Sequence, residues 1–397
     1  MVHGDLTLFV ASSDSVQIRA TIPHMVTRLD RGILLAMLFL LGLGLVQVYS
    51  SSYIFATEVY QDGLFFFRKQ LLFAVVAIVL LFVVALLPWK VNQKLGWAAF
   101  GLAVLGIILT FVPHIGVKVG GAHRWISLPL GLRFEPAELL RVSFPIALAS
   151  LMSDFAQGKI DSRWFLRAGL TMLPLLLLLK QPDFGSFVIC VALGYLLFFA
   201  FGWSWRFVGG SVAVALPILI AIMVAEPYRV ARLQSFLNPW SDPAEKGFQV
   251  IQSLLSFYSG GLTGVGLGLG QGKLFFLPEA HTDFTLAVLG EEMGFIGFAF
   301  VLLLFGFLVF RGFQIALQCQ TFRERAVALG LSLILSFSVL INVGVTLGLL
   351  PTKGLTLPLL SYGGSSLFCT ALAIGWLLSL ERESRVPIDY RERETDQ

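Results

Sequence analysis

Charge is what this sequence has least of. Only 13% of its 397 residues are Asp, Glu, Lys or Arg, about half the roughly 25% of a soluble domain. With 57% hydrophobic residues beside them, the chain cannot face water over most of its surface, and no basic stripe marks it for nucleic acid. Short alternating polar and apolar segments are missing too, which excludes an outer-membrane barrel. Cysteine is rare: Cys190, Cys319 and Cys369 have no metal-site spacing, lie in or beside apolar runs, and read as packing residues. Within the first thirty residues there is no compact apolar core followed by a small-residue cleavage site, so the start reads as a cytoplasmic tail and not as a signal peptide. A nucleotide fingerprint is absent as well. "GGLTGVGLGLGQGK" (260–273) resembles a phosphate cradle, but Leu267 stands where a P-loop needs Gly, and Leu274 where it needs Ser or Thr. It reads as a glycine-rich turn where backbone packs closely.

Long apolar runs are abundant. A helix needs about 17–25 apolar residues to cross a hydrocarbon core, and runs suited to this lie near 33–50, 71–87, 96–112, 137–153, 166–179, 184–201, 207–225, 284–310, 326–349 and 363–380. The expected fold is all-α: a polytopic membrane protein of about ten transmembrane helices with large extracytoplasmic loops. Placing the N-terminus inside puts 16 Lys and Arg in cytoplasmic segments against 11 outside, with Arg141 inside a span. By the positive-inside rule both termini are then cytoplasmic. Residues 1–32 form one tail, 33–381 the transmembrane domain and 382–397 the other tail. The loops at about 113–136 and 226–282 face outside, together with the turn at 351–366.

These outer loops hold most of the chemistry. "LPEAHTDFTLAVLGEE" (277–292) sets Glu279, His281 and Asp283 at alternate positions before an apolar run that carries Glu291 and Glu292. Asp283 suits an N-cap as well as a catalytic carboxylate. The two glutamates sit about 12 Å along the helix, where buried carboxylates need partners, and Arg141 is the candidate. "GGAHRWISLPLGLRFEPAELLRV" supplies Arg124, Trp125, Glu138 and Arg141. Glu138 and Arg141 are three apart, so they read either as a local ion pair or as a positioned acid and cation; Trp125 reads as an interface anchor or a site residue. "EKGFQVIQSLLSFYSG" aligns Phe248, Ile251, Leu255 and Tyr258 on one face of a short interfacial helix. "SYGGSS" (361–366) opens the last helix, and its free N–H groups suit an anion as readily as a plain turn. Lys353, Ser361 and Ser365 accompany it.

At these motifs the sequence resembles the SEDS family (shape, elongation, division and sporulation) of membrane enzymes that polymerise peptidoglycan. The matching blocks are "GGAHRWISL", "FEPAELLRV", "KQPDFGS", "YRVARLQSFLNPWSDPAEKGFQ", "LPEAHTDFTLAVLGEE" and "GLLPTKGLTLPLLSYGGSS", from the first span to the last. "PTKGLTLP" with Lys353 looks most like the division branch. The resemblance implies a glycosyltransferase that joins lipid II to a nascent glycan strand outside the cytoplasmic membrane, at the septum, and releases undecaprenyl pyrophosphate. It carries the essential aspartate onto Asp283, and the family's acidic and basic pair onto Glu138 and Arg141, where Arg replaces the usual Lys. Glu135 stands where Gln is common. Arg124, Arg141 and Lys273, joined by Lys118, Arg229, Arg232 and Lys353, would neutralise the diphosphate. The expected partners are a class B penicillin-binding protein, other division proteins and membrane lipids. No cofactor is fixed by the sequence: a divalent cation such as Mg2+ suits the leaving group, but no dedicated cage is present. The rival readings are a lipid II flippase and a polymerase of the elongation branch.

Overall fold

The computed structural model describes residues 29–385 apart from 120, 121, 225–229, 231, 232, 235, 244–246 and 353. Arg229, Arg232 and Lys353 therefore lie outside the described residues. All ten apolar runs form helices: α1 Arg31–Tyr60, α2 Phe65–Leu86, α3 Trp89–Leu109, α4 Pro136–Ala156, α5 Ser162–Lys180, α6 Phe184–Ala200, α7 Trp205–Val224, α9 Thr285–Gln318, α10 Phe322–Thr346 and α11 Gly364–Ser384. Eight of them are long and apolar enough to cross a membrane, and Phe184–Ala200 and Gly209–Val224 are shorter apolar helices. Polar residues just ahead of the runs fix several starts. Asp30 and Asp161 accept from the backbone N–H groups of Ile33 and Trp164, and Thr321 with Glu324 closes a capping box. Helices outlast the apolar runs because a helix ends where its backbone finds a cap and not where hydropathy falls. Thus α1 continues ten residues past Ser50, and α11 continues through Arg382, which the sequence assigns to a tail. Arg382 is buried and donates to the carbonyls of Leu86 and Leu87.

The bundle has two unlike ends. At one end the connections 87–88, 157–161, 201–204 and 319–321 are at most five residues long. Among the described residues the long connections, 110–135 and the stretches between α7 and α9 and between α10 and α11, leave the opposite ends of the helices, where Asp283 lies. At the centre stands α4, whose apolar window is 83% buried against 22–33% for α2, α3 and α5. The first long loop is not wholly irregular. It folds into an antiparallel sheet of β1 Gly116–Val119, β2 Ala122–Ser127 and β3 Arg133–Phe134, a feature too short to show as sequence periodicity. The second loop contains α8, Phe248–Gly260. Of the apolar face expected there Ile251 is buried, but Leu255 and Tyr258 are exposed. The helix instead turns its small residues, Ser253, Ser256 and Gly260, inward, which lets it lie close along α9.

A break in α9 governs this end. Gly294 has φ 66° and ψ −169°, a conformation that glycine adopts without penalty. The break removes helical hydrogen bonds inside an apolar segment, where each unsatisfied group costs several kcal/mol. The glycine-rich stretch supplies the replacements. Val265 and Gly266 donate to the carbonyls of Glu291 and Glu292, and Phe295 and Ile296 donate to those of Gly261 and Leu262, all at 2.9–3.1 Å. Gly264 has φ +83°, and a Cβ there would stand 2.2 Å from the Glu292 carbonyl oxygen. Gly264→Ala is expected to lower stability by roughly 2 kcal/mol or more, read as a drop in the thermal midpoint in detergent. Gly306→Ala, where a Cβ meets nothing within 4 Å, leaves the midpoint unchanged or raises it. Equal midpoints for the two variants would show that the loop does not patch the helix.

Candidate active site

Asp283 is not the helix cap its position allowed. The N-cap is Phe284, and Asp283 lies one residue outside, in a turn built on Glu279. With φ 57° at Glu279, its carbonyl accepts from the N–H groups of Thr282, Asp283 and Phe284 at 3.1–3.3 Å, while Thr282 Oγ1 donates to Glu279 Oε2 at 3.0 Å. Beneath the turn Leu277, Ala280, Phe284, Ala287, Val288 and Val345 pack as a separate apolar cluster. Above it runs the segment that joins α10 to α11: a Cβ on Gly354 would stand 3.1 Å from Asp283 Oδ2. Asp283 is half-buried and Gly354 exposed, so the carboxylate lies at the surface of the bundle.

His281 stacks on Phe55 and leans on Phe66 and Tyr362, with ring centroids 4.8–5.9 Å apart. Burial among these rings lowers its pKa below the usual value, with Glu279 opposing, so it is a neutral imidazole at neutral pH. Its carbonyl accepts from the Tyr362 N–H at 2.9 Å, and burial pushes the Tyr362 phenol up to about 12. Both residues fix the turn to the start of α11.

The second group of charges gathers at the start of α4. Arg141 and Glu138 form the i, i+3 ion pair, both buried. Arg124 reaches the same region from β2. Val117 pairs with Trp125 and Lys118 with His123, so Arg124 is the extra residue of a bulge, a device that re-aims a side chain; its guanidinium donates to the carbonyl of Pro182. Glu135, half-buried just before α4, is pushed up to about 8, chiefly by burial, then by the Glu138 and Asp183 carboxylates, against the pull of Arg141 and Arg124. Its own N–H donates to Ser365 Oγ at 3.0 Å. The Nε groups of Arg141 and Arg124 and the indole Nε1 of Trp125 are buried without a hydrogen-bond partner. Glu138, Arg141, Thr356, Pro358 and Ser366 line one small cleft of about 20 Å3, enough for about one water. Thr356 follows Gly354 by two residues, at most about 7 Å of chain. One strand thus runs from the Asp283 carboxylate to the Arg141 cleft.

Other expected site residues are placed elsewhere. Arg141 does not serve the α9 glutamates, because Glu138 on its own helix already pairs with it. Glu292 instead meets Lys273 Nζ at 2.8 Å and Ser50 Oγ at 2.6 Å. Glu291 accepts from the N–H groups of Gln271 and Gly272 at 2.7 and 3.0 Å, filling the start of a short π turn, Gly272–Phe276. Lys273 is buried with its charge already matched, apart from the Arg141 cleft. Ser361 is buried too, and its hydroxyl accepts from the Leu357 N–H at 3.0 Å, closing a turn. Lys118 is exposed on β1, and Glu279 is exposed beside Asp283. Sequence reasoning passed over Asn342, whose amide bonds the Asp283 carbonyl; as the only amide in the 326–349 run, it carried the signal of a polar residue inside a span. Among the described residues no group of three or more His, Cys, Asp or Glu is arranged to hold a metal ion. The carboxylates near Arg141 face guanidinium groups, so no step is derived through a metal.

Residues 31–386 match the family model described as a cell cycle protein of the FtsW, RodA and SpoVE type. A protein named probable peptidoglycan glycosyltransferase FtsW, from Trichlorobacter lovleyi, is 40% identical over 90% of this chain and 94% of its own. Stage V sporulation protein E of Bacillus subtilis is 37% identical over 88% and 95%. Among solved structures, a chain described under polymerization and crosslinking by a peptidoglycan synthase complex is 31% identical, with a TM-score of 0.72, covering 90% of this chain and 99% of that one. The rod shape determining protein RodA of Thermus thermophilus is 28% identical, with a TM-score of 0.64, over 90% and 98%. With the match running from the first helix to the last, the chain belongs to the FtsW, RodA and SpoVE family of cell cycle proteins.

Proposed function

We propose that this chain is a peptidoglycan glycosyltransferase that polymerises lipid II into glycan strands at the outer face of the cytoplasmic membrane during septal wall synthesis, with Asp283 as the base. The observation that carries the reading is one juxtaposition. A surface carboxylate on a pinned turn lies against Gly354, two residues of chain from a cleft lined by the buried Arg141, and the Nε groups of Arg141 and of nearby Arg124 have no hydrogen-bond partner. Asp283 takes the proton from the acceptor 4-hydroxyl as its oxygen attacks the anomeric carbon. The bond from that carbon to the diphosphate breaks with inversion, and the electron pair leaves on the undecaprenyl diphosphate. Arg141 and Arg124 offer their free N–H groups to that charge, with Trp125 beside them, and Ser365 holds the start of α4 from the α11 side. Glu138 keeps Arg141 in place. In this reading both termini are cytoplasmic, and a class B penicillin-binding protein with other division proteins binds the bundle.

Asp283→Asn keeps the shape of the turn and removes the proton acceptor. It is expected to fold with a wild-type thermal midpoint and to lose polymerisation of lipid II by about 100 to 10,000-fold. Glycan chains made at the wild-type rate by the purified variant would end the base assignment. The buried Lys273–Glu292 pair beside a broken helix is a feature that a flippase would share. Wild-type protein that moves lipid II across vesicles yet makes no glycan with its partner would favour that rival.

Glu135 gives a pH prediction. Its folded pKa of about 8 lies above the ordinary value of 4.5, so between the two the folded protein holds a proton that the unfolded chain has lost. Stability therefore falls as pH rises through that window. Above about 8 the new carboxylate also opposes an anionic donor. The thermal midpoint of the wild type should fall from pH 5 to 8 and its polymerisation above pH 8, while Glu135→Gln flattens both curves. Unchanged curves in the variant would place the titration on another group.

A further inference from the structure

Resting on the assignment of Asp283 as the base, we propose that Asn342 is its positioning residue: one buried amide nitrogen ties the peptide of the base to the loop lying against its carboxylate. Asn342 sits in α10 at 2% exposure. Its Nδ2 donates to the Asp283 carbonyl at 3.1 Å and to the Leu355 carbonyl at 2.7 Å. The orientation of the amide is settled by chemistry, since two carbonyl oxygens can be met only by the nitrogen. Asn342 Oδ1 is buried without a hydrogen-bond partner. An amide in an apolar helix is costly unless bonded, and this one leaves an acceptor unmet while it spends both donors on two irregular segments.

The consequence is geometric. Asp283 lies outside the regular hydrogen bonding of α9, in an irregular turn built on the Glu279 carbonyl. Leu355 follows Gly354, the residue that limits Asp283 Oδ2 on its other side. Asn342 clamps both segments to α10, an element with a capping box at its start and a largely buried length. The carboxylate is held between a fixed peptide and a fixed loop. A displacement of about 1 Å at such a group can cost on the order of 100-fold in rate.

The test uses purified full-length protein polymerising lipid II, with Asn342→Leu, Asn342→Asp and Asp283→Asn. Both Asn342 variants are expected to keep KM within about twofold and to lose kcat by about 10 to 100-fold. The acid limb of the pH profile separates positioning from a loss of folded protein, which would lower kcat alone. In Asn342→Asp a second carboxylate beside Asp283 makes ionisation of the base harder, so the limb moves to higher pH; in Asn342→Leu it stays. Should Asn342→Leu fail to fold, Asn342→Ser, which keeps one donor, takes its place with a smaller loss. An acid limb of Asn342→Asp that coincides with the wild type, or a kcat retained without the donors, overturns the proposal. If Asp283→Asn stays active the base assignment falls instead, and if it is inactive while the Asn342 variants match the wild type, positioning alone falls.

Discussion

A backbone that leaves its helix inside an apolar bundle must find hydrogen-bond partners there, because no water will supply them. That constraint organises the Asp283 end of the molecule. Gly294 breaks α9, and the glycine-rich stretch docks on the break. The same docking fills the two charge sites nearby. The N–H groups at Gln271 and Gly272 are taken by Glu291. Lys273, which follows them, is drawn into the bundle against Glu292 and Ser50. The stretch that the sequence presents as a glycine-rich turn with closely packed backbone is a backbone splint, anchored by one carboxylate and one ion pair.

The candidate site is built on what the splint leaves free. Short connections close one end of the bundle and concentrate length at the other, where three irregular segments meet: the sheet with Arg124, the turn with Asp283 and the strand through Gly354 and Thr356. None is long enough to form its own core. Each is instead tied to a neighbouring element: the start of α4 by the Ser365 hydroxyl, the His281 turn by the Tyr362 backbone N–H and ring, and Asp283 and Leu355 by the Asn342 amide. Loops so tied can present a carboxylate at a reproducible place without being helical themselves.

Charge at this end is balanced locally. Arg141 pairs within its own helix because Glu138 is one turn away, and a buried cation takes the nearest carboxylate that avoids a further desolvation cost. Glu135 then faces two carboxylates and two guanidiniums. With its pKa raised to about 8, it is held neutral at neutral pH. A neutral carboxyl has nearly the shape of a glutamine amide and can likewise donate one hydrogen bond.

Ten apolar runs and their loops were legible in the sequence because hydropathy over about twenty residues is a local property, and the ordered motifs around Asp283, Glu138 and Arg141 identified the family for the same reason. The Glu138–Arg141 pair was legible as helical spacing. Tertiary structure alone decided which charges meet. Glu292 with Lys273, Glu291 with two peptide N–H groups, and Asn342 with Asp283 and Leu355 join residues that are 13 to 59 positions apart. No local pattern encodes such pairings. They follow from how a broken helix, forbidden unsatisfied backbone, draws a distant loop into the bundle and sets each buried charge beside the nearest group able to meet it.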